Sequence, residues 1–341
     1  CGETLYFSTT QPQTKEQQEK EKPERKDEIR WREKDRGDVL VKLAVEPAVA
    51  GALKVQLPQT SVTAEKKAET KKAGMQPAEL PPGAQTLTAG KEEITEIAPS
   101  PDGKTVAFET GPPSHREENP ADYEIFFVSP EGGDPRQATH NEALESRLAW
   151  SPDSQSLHFE VPAGAGSLEG KYQDVQGRLY KMDPETGKVE RLGADFDGSW
   201  GPYAMTPDGK LLALGQKGTE TQLYSVDGSK ATKLPGKPGT YSDIDAAKGS
   251  SAIVVRYSTI NDPEQAYLVA NPLEPDHLTK LTDFNKIFSQ RAQPEWQTYA
   301  WKTYDGRTVE GVLIFPPGKK GAKHLRMLTL IHGGPEDADG N

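Results

Sequence analysis

The chain has 341 residues, a formal net charge of −11 and a pI near 5.2. That length points to two domains, or to one large repeat domain with a piece of another. The acidic balance argues against a nucleic-acid backbone or an anionic membrane as partner. No window approaches the run of about eighteen apolar residues that a membrane span needs, and the first residues lack the charged-then-apolar order of a signal peptide. The expectation is a water-soluble chain with no membrane partner, its compartment open between cytoplasm and periplasm or secretion.

Glycine and proline (32 and 28 residues) far outnumber what long helices tolerate, so many short strands joined by turns are expected. Cys1 is the single cysteine, which leaves no internal disulfide and no thiolate zinc cluster. Followed by Gly2, it has the form of a lipid-bearing first residue of a processed lipoprotein, but the repeat described below accounts for it more simply.

In chain order, Gly2 to Thr10 reads as one strand and Val39 to Leu43 as another, with Gln85-Thr86-Leu87-Thr88 as a short closing strand. Two insertions of charged and small polar residues, 11–36 and 61–82, interrupt this first unit and read as solvated excursions with no amphipathic stripe. Next comes Ser100-Pro101-Asp102-Gly103-Lys104-Thr105-Val106-Ala107-Phe108. It is echoed at Ser151 to Phe159, at Thr206 to Leu214 and, in degenerate form, at Ala246 to Val254. The Asp-to-Asp spacings, 153 − 102 = 51 and 208 − 153 = 55, suit four-stranded propeller blades.

Proline presets φ for the first corner of a tight turn, and Asp and Gly suit its later corners, so each copy predicts a hairpin turn. Third strands follow at 123–128, 177–182, 221–226 and 265–270, and short fourth strands at 136–139 and 280–282. Gly2 to Phe7 aligns with Gly103 to Phe108, which puts Cys1 at the turn position and makes the chain begin within a blade. The fold expected is mainly β: a β-propeller over 1–285 with about five blades, the first incomplete, then a linker over 286–298.

Residues 299–341 differ in character. Tyr299 to Gly318 reads as a hairpin around Asp305-Gly306. Met327-Leu328-Thr329-Leu330-Ile331 is a continuous apolar run of the kind a strand buried on both faces needs, and it ends in His332-Gly333-Gly334-Pro335.

The order of repeated Ser-Pro-Asp-Gly turns, then Asp-Gly-Arg-Thr-Val-Glu-Gly-Val-Leu-Ile-Phe-Pro-Pro-Gly, then Leu-Ile-His-Gly-Gly-Pro resembles the prolyl oligopeptidase family of serine peptidases, above all its acylaminoacyl-peptidase-like branch. The resemblance implies that 299–341 are the first strands of an α/β-hydrolase domain. It also implies that the propeller limits access to short peptide substrates, and it leaves room for a homo-oligomer through the hydrolase domain. Gly334 would supply an oxyanion-hole N–H, with Gly333 and Pro335 shaping the turn and His332 anchoring it. His332 is not expected to be the catalytic base, since nucleophile, acid and histidine all follow the third strand in this fold.

No Gly-x-Ser-x-Gly occurs: Ser167 follows Ala165 by two residues, and Ser199 follows Asp197. The expectation is therefore a piece cut before its triad, with serine, acid and histidine beyond Asn341, and inactive alone. No metal or cofactor is expected. His115, Glu117 and Glu118 match no ligand spacing, Asp195 to Gly198 lacks the later glutamate of a calcium loop, and Gly187-Lys188 lacks the remainder of a phosphate loop. Trp150, Trp200 and Trp296 are expected to fill gaps between blades and under the hydrolase. Two other readings remain: a TolB-like binding propeller, and a hydrolase acting on esters.

Overall fold

The computed structural model describes residues 3–11, 37–45, 80–90, 92–112, 123–168, 176–288, 290–333 and 340. Cys1, Gly2, most of both insertions, His115, Glu117, Glu118, Gly334 and Pro335 lie outside the described residues. The architecture is mainly β, and no helix among the described residues is long and apolar enough to cross a membrane. Two compact units divide the chain, Cys1–Gln137 and Ala138–Asn341.

In the first unit, β1 (Thr4–Thr10), β2 (Asp38–Ala44) and β3 (Gln85–Thr86) form a three-stranded antiparallel sheet. A four-stranded meander follows, β4 (Glu93–Pro99), β5 (Val106–Gly111), β6 (Ile125–Val128) and β7 (Arg136–Gln137), in sequence order. Alternation places Val106 and Phe108 on one face of β5, where they pack with Leu40, Leu87, Ile94 and Val128.

In the second unit, β8 (Glu142–Ala143) pairs with β11 (Gly166–Ser167) as a small ribbon. A second meander is built from β9 (Ser146–Trp150), β10 (Leu157–Val161), β12 (Arg178–Met182) and β13 (Val189–Leu192). A third comprises β14 (Ser199–Met205), β15 (Leu211–Lys217), β16 (Glu220–Asp227) and β17 (Lys230–Lys233). A fourth has β18 (Thr240–Ala246), β19 (Ile253–Thr259), β20 (Asp262–Val269) and β21 (Leu278–Lys280), joined to the third by the single parallel pairing of Thr221 with Thr240. Last is the hairpin β22 (Glu295–Lys302) and β23 (Thr308–Phe315). The strands expected after each turn are therefore present, within a few residues of the expected bounds.

One chemical device makes the corner between the first and second strands of the first three meanders. The Ser100 hydroxyl donates to Asp102 Oδ1 at 2.7 Å and accepts the Thr105 N–H at 3.0 Å, while Asp102 Oδ1 also accepts the Lys104 N–H at 3.1 Å. Ser151 and Asp153 repeat this at 2.6 Å, with the Ser156 N–H on Ser151 Oγ at 2.9 Å. Hydroxyl and carboxylate thus satisfy backbone donors that a tight corner strands. These hydrogen bonds also hold the Asp102 and Asp153 carboxyls below the usual range.

The third copy is shorter by one residue. Pro99 pairs with Val106 across six residues (106 − 99 − 1), whereas Met205 pairs with Leu211 across five (211 − 205 − 1). There Thr206 donates to Asp208 at 2.5 Å and accepts the Lys210 N–H at 3.1 Å. The hairpin β22–β23 reuses this five-residue form. Thr303 bonds Asp305, the Gly306 N–H donates to the Thr303 carbonyl at 3.0 Å, and Lys302 pairs with Thr308. Tyr304 replaces the proline, so the likeness of Thr-x-Asp-Gly-Arg to Thr-x-Asp-Gly-Lys is easily overlooked in sequence.

The first strands of all four meanders are bulged against the second, at Ile94/Glu96, opposite His158/Glu160, at Trp200/Tyr203 and at Tyr241/Asp243. A bulge adds a residue and re-aims its side chain. Thr95 thereby reaches Glu109, Arg147 reaches Glu160, and Ser242 reaches Glu264.

The corner position filled by Gly103 (φ 71°), Gly209 (φ 82°) and Gly306 (φ 84°) holds Ser154 at φ 61°. A side chain in this left-handed region is strained, and glycine relieves the strain while adding some unfolded-state entropy. Ser154→Gly is therefore expected to stabilise the second unit by about 0.5 kcal/mol, read as an upward shift of its denaturant midpoint with unchanged slope.

Candidate functional site

The segment singled out for chemistry follows β23. Each of β22 and β23 presents alternating faces, and Tyr299 stacks on Trp301 at 6.1 Å on the exposed side. Beyond Phe315 the chain makes two turns, closed by the Lys319 N–H on the Pro316 carbonyl and the Ala322 N–H on the Lys319 carbonyl, both at 3.0 Å, and then continues to His332-Gly333 with no ladder partner among the described residues. Leu328 and Ile331 are 82% and 88% exposed, and Met327 and Leu330 are exposed with them. A strand buried on both faces was expected here. Strand pairing requires neighbours on both edges to satisfy its backbone groups, and the described residues supply none.

His332 Nδ1 lies 3.1 Å from the Gly333 carbonyl, and both residues are exposed. Gly334, expected to be the oxyanion donor, and Pro335 lie outside the described residues.

The other residues weighed from sequence have structural roles. Ser199 Oγ accepts the Gly177 N–H at 2.8 Å, and Ser167 pairs with Glu142 across the β8–β11 ribbon. Asp195 Oδ1 accepts the Ala231 N–H at 2.7 Å, which ties a loop to β17. Gly187 stands in a turn at φ 70°, with Lys188 paired to Glu190 at 2.9 Å. Among the described residues no group of three or more His, Cys, Asp or Glu is arranged to hold a metal ion. Trp200 is buried against Phe196 and Tyr224, at 4.3 and 5.4 Å between ring centres, while Trp150 and Trp296 are half-buried. Gly193, at φ 54°, lets the Trp200 ring approach to where a Cβ would stand at 2.6 Å.

The groups with the most perturbed chemistry were not singled out from sequence. Glu109 on β5 is 3% exposed; its Oε2 accepts the Thr95 hydroxyl at 2.7 Å, and its other oxygen has no hydrogen-bond partner among the described residues. Burial, with a smaller contribution from nearby Glu96 and against the Thr95 bond, pushes its carboxyl up to about 8. Glu160 holds the same ladder position in β10, three residues after its strand begins, as Glu109 does in β5. It meets Arg147 at 3.2 Å, and the chain of charges continues through Asp243 (3.9 Å) to Arg256 (3.3 Å) and Glu264 (3.0 Å). Arg147 stands at φ 55°, and the Tyr203 hydroxyl donates to its carbonyl.

A sequence signal for the two glutamates existed: each follows its turn aspartate by seven residues, 109 − 102 and 160 − 153. His158, also on β10, is pushed down to about 4 by burial, and then by Lys181, against smaller opposing effects of the Ala149 backbone and Asp153.

Glu109 and His158 bias stability oppositely, one in each unit. Glu109 stays protonated in the fold to about 8 but ionises near 4.5 when unfolded, so the first unit loses stability as pH rises across that interval. His158 stays neutral in the fold down to about 4 but binds a proton below 6.5 when unfolded, so the second unit loses stability as pH falls from 6.5 to 4. Hydrogen exchange is expected to show protection in β5 falling with pH and protection in β10 rising with it, after correction for intrinsic exchange. Glu109→Gln should flatten the first trend and His158→Phe the second.

Comparison with known proteins adds a second line. No protein-family model matches the chain. The chain is 30% identical over 165 residues to an uncharacterized peptidase, YuxL, of Bacillus subtilis, covering 41% of this chain and 24% of that protein. It is 24% identical over 257 residues to a probable dipeptidyl-peptidase 5 of Aspergillus niger, covering 70% and 34%. The chain thus spans about a quarter to a third of the length of these curated relatives. Among solved structures, a puromycin-hydrolyzing peptidase of Mycobacterium tuberculosis matches with a TM-score of 0.51 at 17% identity, over 82% of this chain and 38% of that one. A structure from a study of two prolyl endopeptidases matches with a TM-score of 0.52 at 10% identity, over 90% and 37%. Its sequence relatives are peptidases by name, and it shares its fold with part of a puromycin-hydrolyzing peptidase and part of a prolyl endopeptidase structure.

Proposed function

We propose that these residues are the propeller and the opening hydrolase strands of a serine peptidase of the prolyl oligopeptidase family that cleaves short peptides. The observation that carries the reading is an order. Blade-like meanders are followed by a hairpin, and then by an apolar run that ends in His332-Gly333-Gly334-Pro335 and stands unburied. Four large apolar side chains in water are costly, at about 1.5–3 kcal/mol each relative to burial, and a hydrolase sheet would cover them. Relatives named as peptidases, one matched over 70% of this chain, support the same reading.

In that reading Gly334 lends a backbone N–H to the oxyanion of the tetrahedral intermediate, because a donor fixed where charge develops stabilises the transition state more than the ground state. The absence of a side chain on Gly333 and Gly334 allows the backbone to approach the reacting carbonyl. Nucleophile, acid and base come from outside these residues, since no Gly-x-Ser-x-Gly occurs within them. The acylaminoacyl-peptidase-like branch is the proposed assignment within the family.

The test uses the complete protein with N-acyl, dipeptidyl and prolyl p-nitroanilides beside p-nitrophenyl esters, and with a fluorophosphonate label for reactive serine. Peptide turnover and labelling are expected, and residues 1–341 alone should show neither. Removing the donor with Gly334→Pro should lower kcat by about 10²–10³ with little change in KM. Ester turnover without peptide turnover would replace the reading with an esterase. No labelling at all would replace it with a binding propeller.

A further inference from the structure

The third strands of the last three meanders carry a buried polar side chain at one shared position. Arg178, Gln222 and Gln265 each stand two residues before a tyrosine, and the ladder sets them opposite Val161, Gly215 and Tyr257. Each donates to a backbone carbonyl in the connection that leaves its meander. Arg178 Nη1 meets the Gly198 carbonyl at 2.9 Å, Gln222 Nε2 the Gly239 carbonyl at 3.1 Å, and Gln265 Nε2 the Phe284 carbonyl at 2.7 Å. Gly198 and Gly239 stand one residue before β14 and β18, the first strands of the next meanders. Phe284 is instead followed by ten residues (294 − 284) before β22 begins.

Gln265 does more than donate. Its Oε1 accepts the Thr282 hydroxyl at 2.7 Å and the Phe284 N–H at 3.0 Å, so one amide holds Phe284 by both backbone groups, as a ladder partner would. A backbone N–H can only donate, which fixes the orientation of the amide. Thr282 Oγ1 in turn accepts the Ala266 N–H at 3.0 Å. The other holds on this segment are weak. Leu281, Phe284, Ile287 and Phe288 are exposed, so burial of their side chains does not anchor it. The Asp283–Lys286 pair lies in solvent, where ion pairs contribute little. After Phe284 the chain turns at Asn285 (φ 59°) and its bonds become local, with the Phe288 N–H on the Asn285 carbonyl at 3.0 Å and the Arg291 N–H on the Phe288 carbonyl at 3.1 Å.

From this juxtaposition we propose that the buried Gln265 amide is the clamp that fixes the direction in which the chain leaves the fourth meander, and through it the orientation of the hairpin β22–β23. The strands of that hairpin pair only with each other among the described residues, so no ladder to a meander performs the task. The clamp occupies the position that in the second and third meanders delivers the chain into the next meander, and here it delivers the chain into a sheet of another kind. On the peptidase reading this is the point at which the propeller passes to the hydrolase strands. That significance rests on the reading, whereas the clamp does not and is tested without activity.

The test is made on the full chain by amide hydrogen exchange and by the distance between spin labels. The labels sit on Lys248→Cys, at a corner of the fourth meander, and on Tyr304→Cys, at the tip of the hairpin, in a Cys1→Ser background. Gln265→Met keeps the length of the side chain and removes its hydrogen bonds. Exchange at the Phe284 N–H is expected to rise about tenfold, and the label distance to spread. Thr282→Val removes one arm of the clamp without touching the buried amide, and should raise Phe284 exchange about threefold. It decides the question if the fourth meander does not fold with methionine at position 265. Gln222→Met makes the same change in the third meander. It should loosen Lys237, whose N–H rests on the Tyr241 hydroxyl at 3.2 Å, and leave Phe284 and the label distance as they were. Unchanged Phe284 exchange in Gln265→Met and Thr282→Val, an unchanged label distance in Gln265→Met, or an equal response to Gln222→Met would overturn the proposal.

Discussion

The hydroxyl–carboxylate pair at the corner between first and second strands governs the register of three of the meanders and of the final hairpin. A two-residue periodicity means that a slip of one residue moves every core side chain to the opposite face. The corner prevents such a slip by occupying both the backbone donors of the turn and the carboxylate that faces them, as Ser100–Asp102 does at 2.7 Å. The fourth meander keeps the six-residue span between Ala246 and Ile253 without the aspartate. There the Ala247 N–H and Ala252 carbonyl close the turn, and Ser250 accepts the Ala252 N–H.

With register secured, the bulges in the first strands can spend their extra residue on charge. Thr95, Arg147 and Ser242 each reach an acidic group, so acidic residues of the second and third strands are met by the strand that begins the meander. The consequences differ with burial. Arg147, Asp243, Arg256 and Glu264 are partly exposed, and their network is screened by solvent. Glu109 has only a hydroxyl to answer it and therefore keeps its proton.

The end of the described chain has the opposite character. The meanders bury aliphatic and aromatic side chains between successive sheets, as Leu212, Leu214, Ile253 and Val255 do within one cluster. Residues 327–331 are as apolar and bury nothing. The run has the composition of a buried strand and no ladder partner among the described residues.

What the amino-acid order determined by itself was the repeat: proline, aspartate and glycine encode a local turn, and strict alternation encodes the strands on either side, so both are readable without knowing what lies across the sheet. Equivalence between copies was decided only in three dimensions. A gapless alignment equates Leu214 with Phe108, but the ladder and the core equate Phe108 with Ala213, because the Thr206 corner is one residue shorter. Position 214 thereby becomes the counterpart of Glu109 and Glu160, an apolar residue where two copies hold buried acids. A hydrogen-bonded corner is a short-range event that neighbouring residues specify. The proton on Glu109 and the neutral ring of His158 depend on which distant side chains exclude water from them, and that is a property of packing.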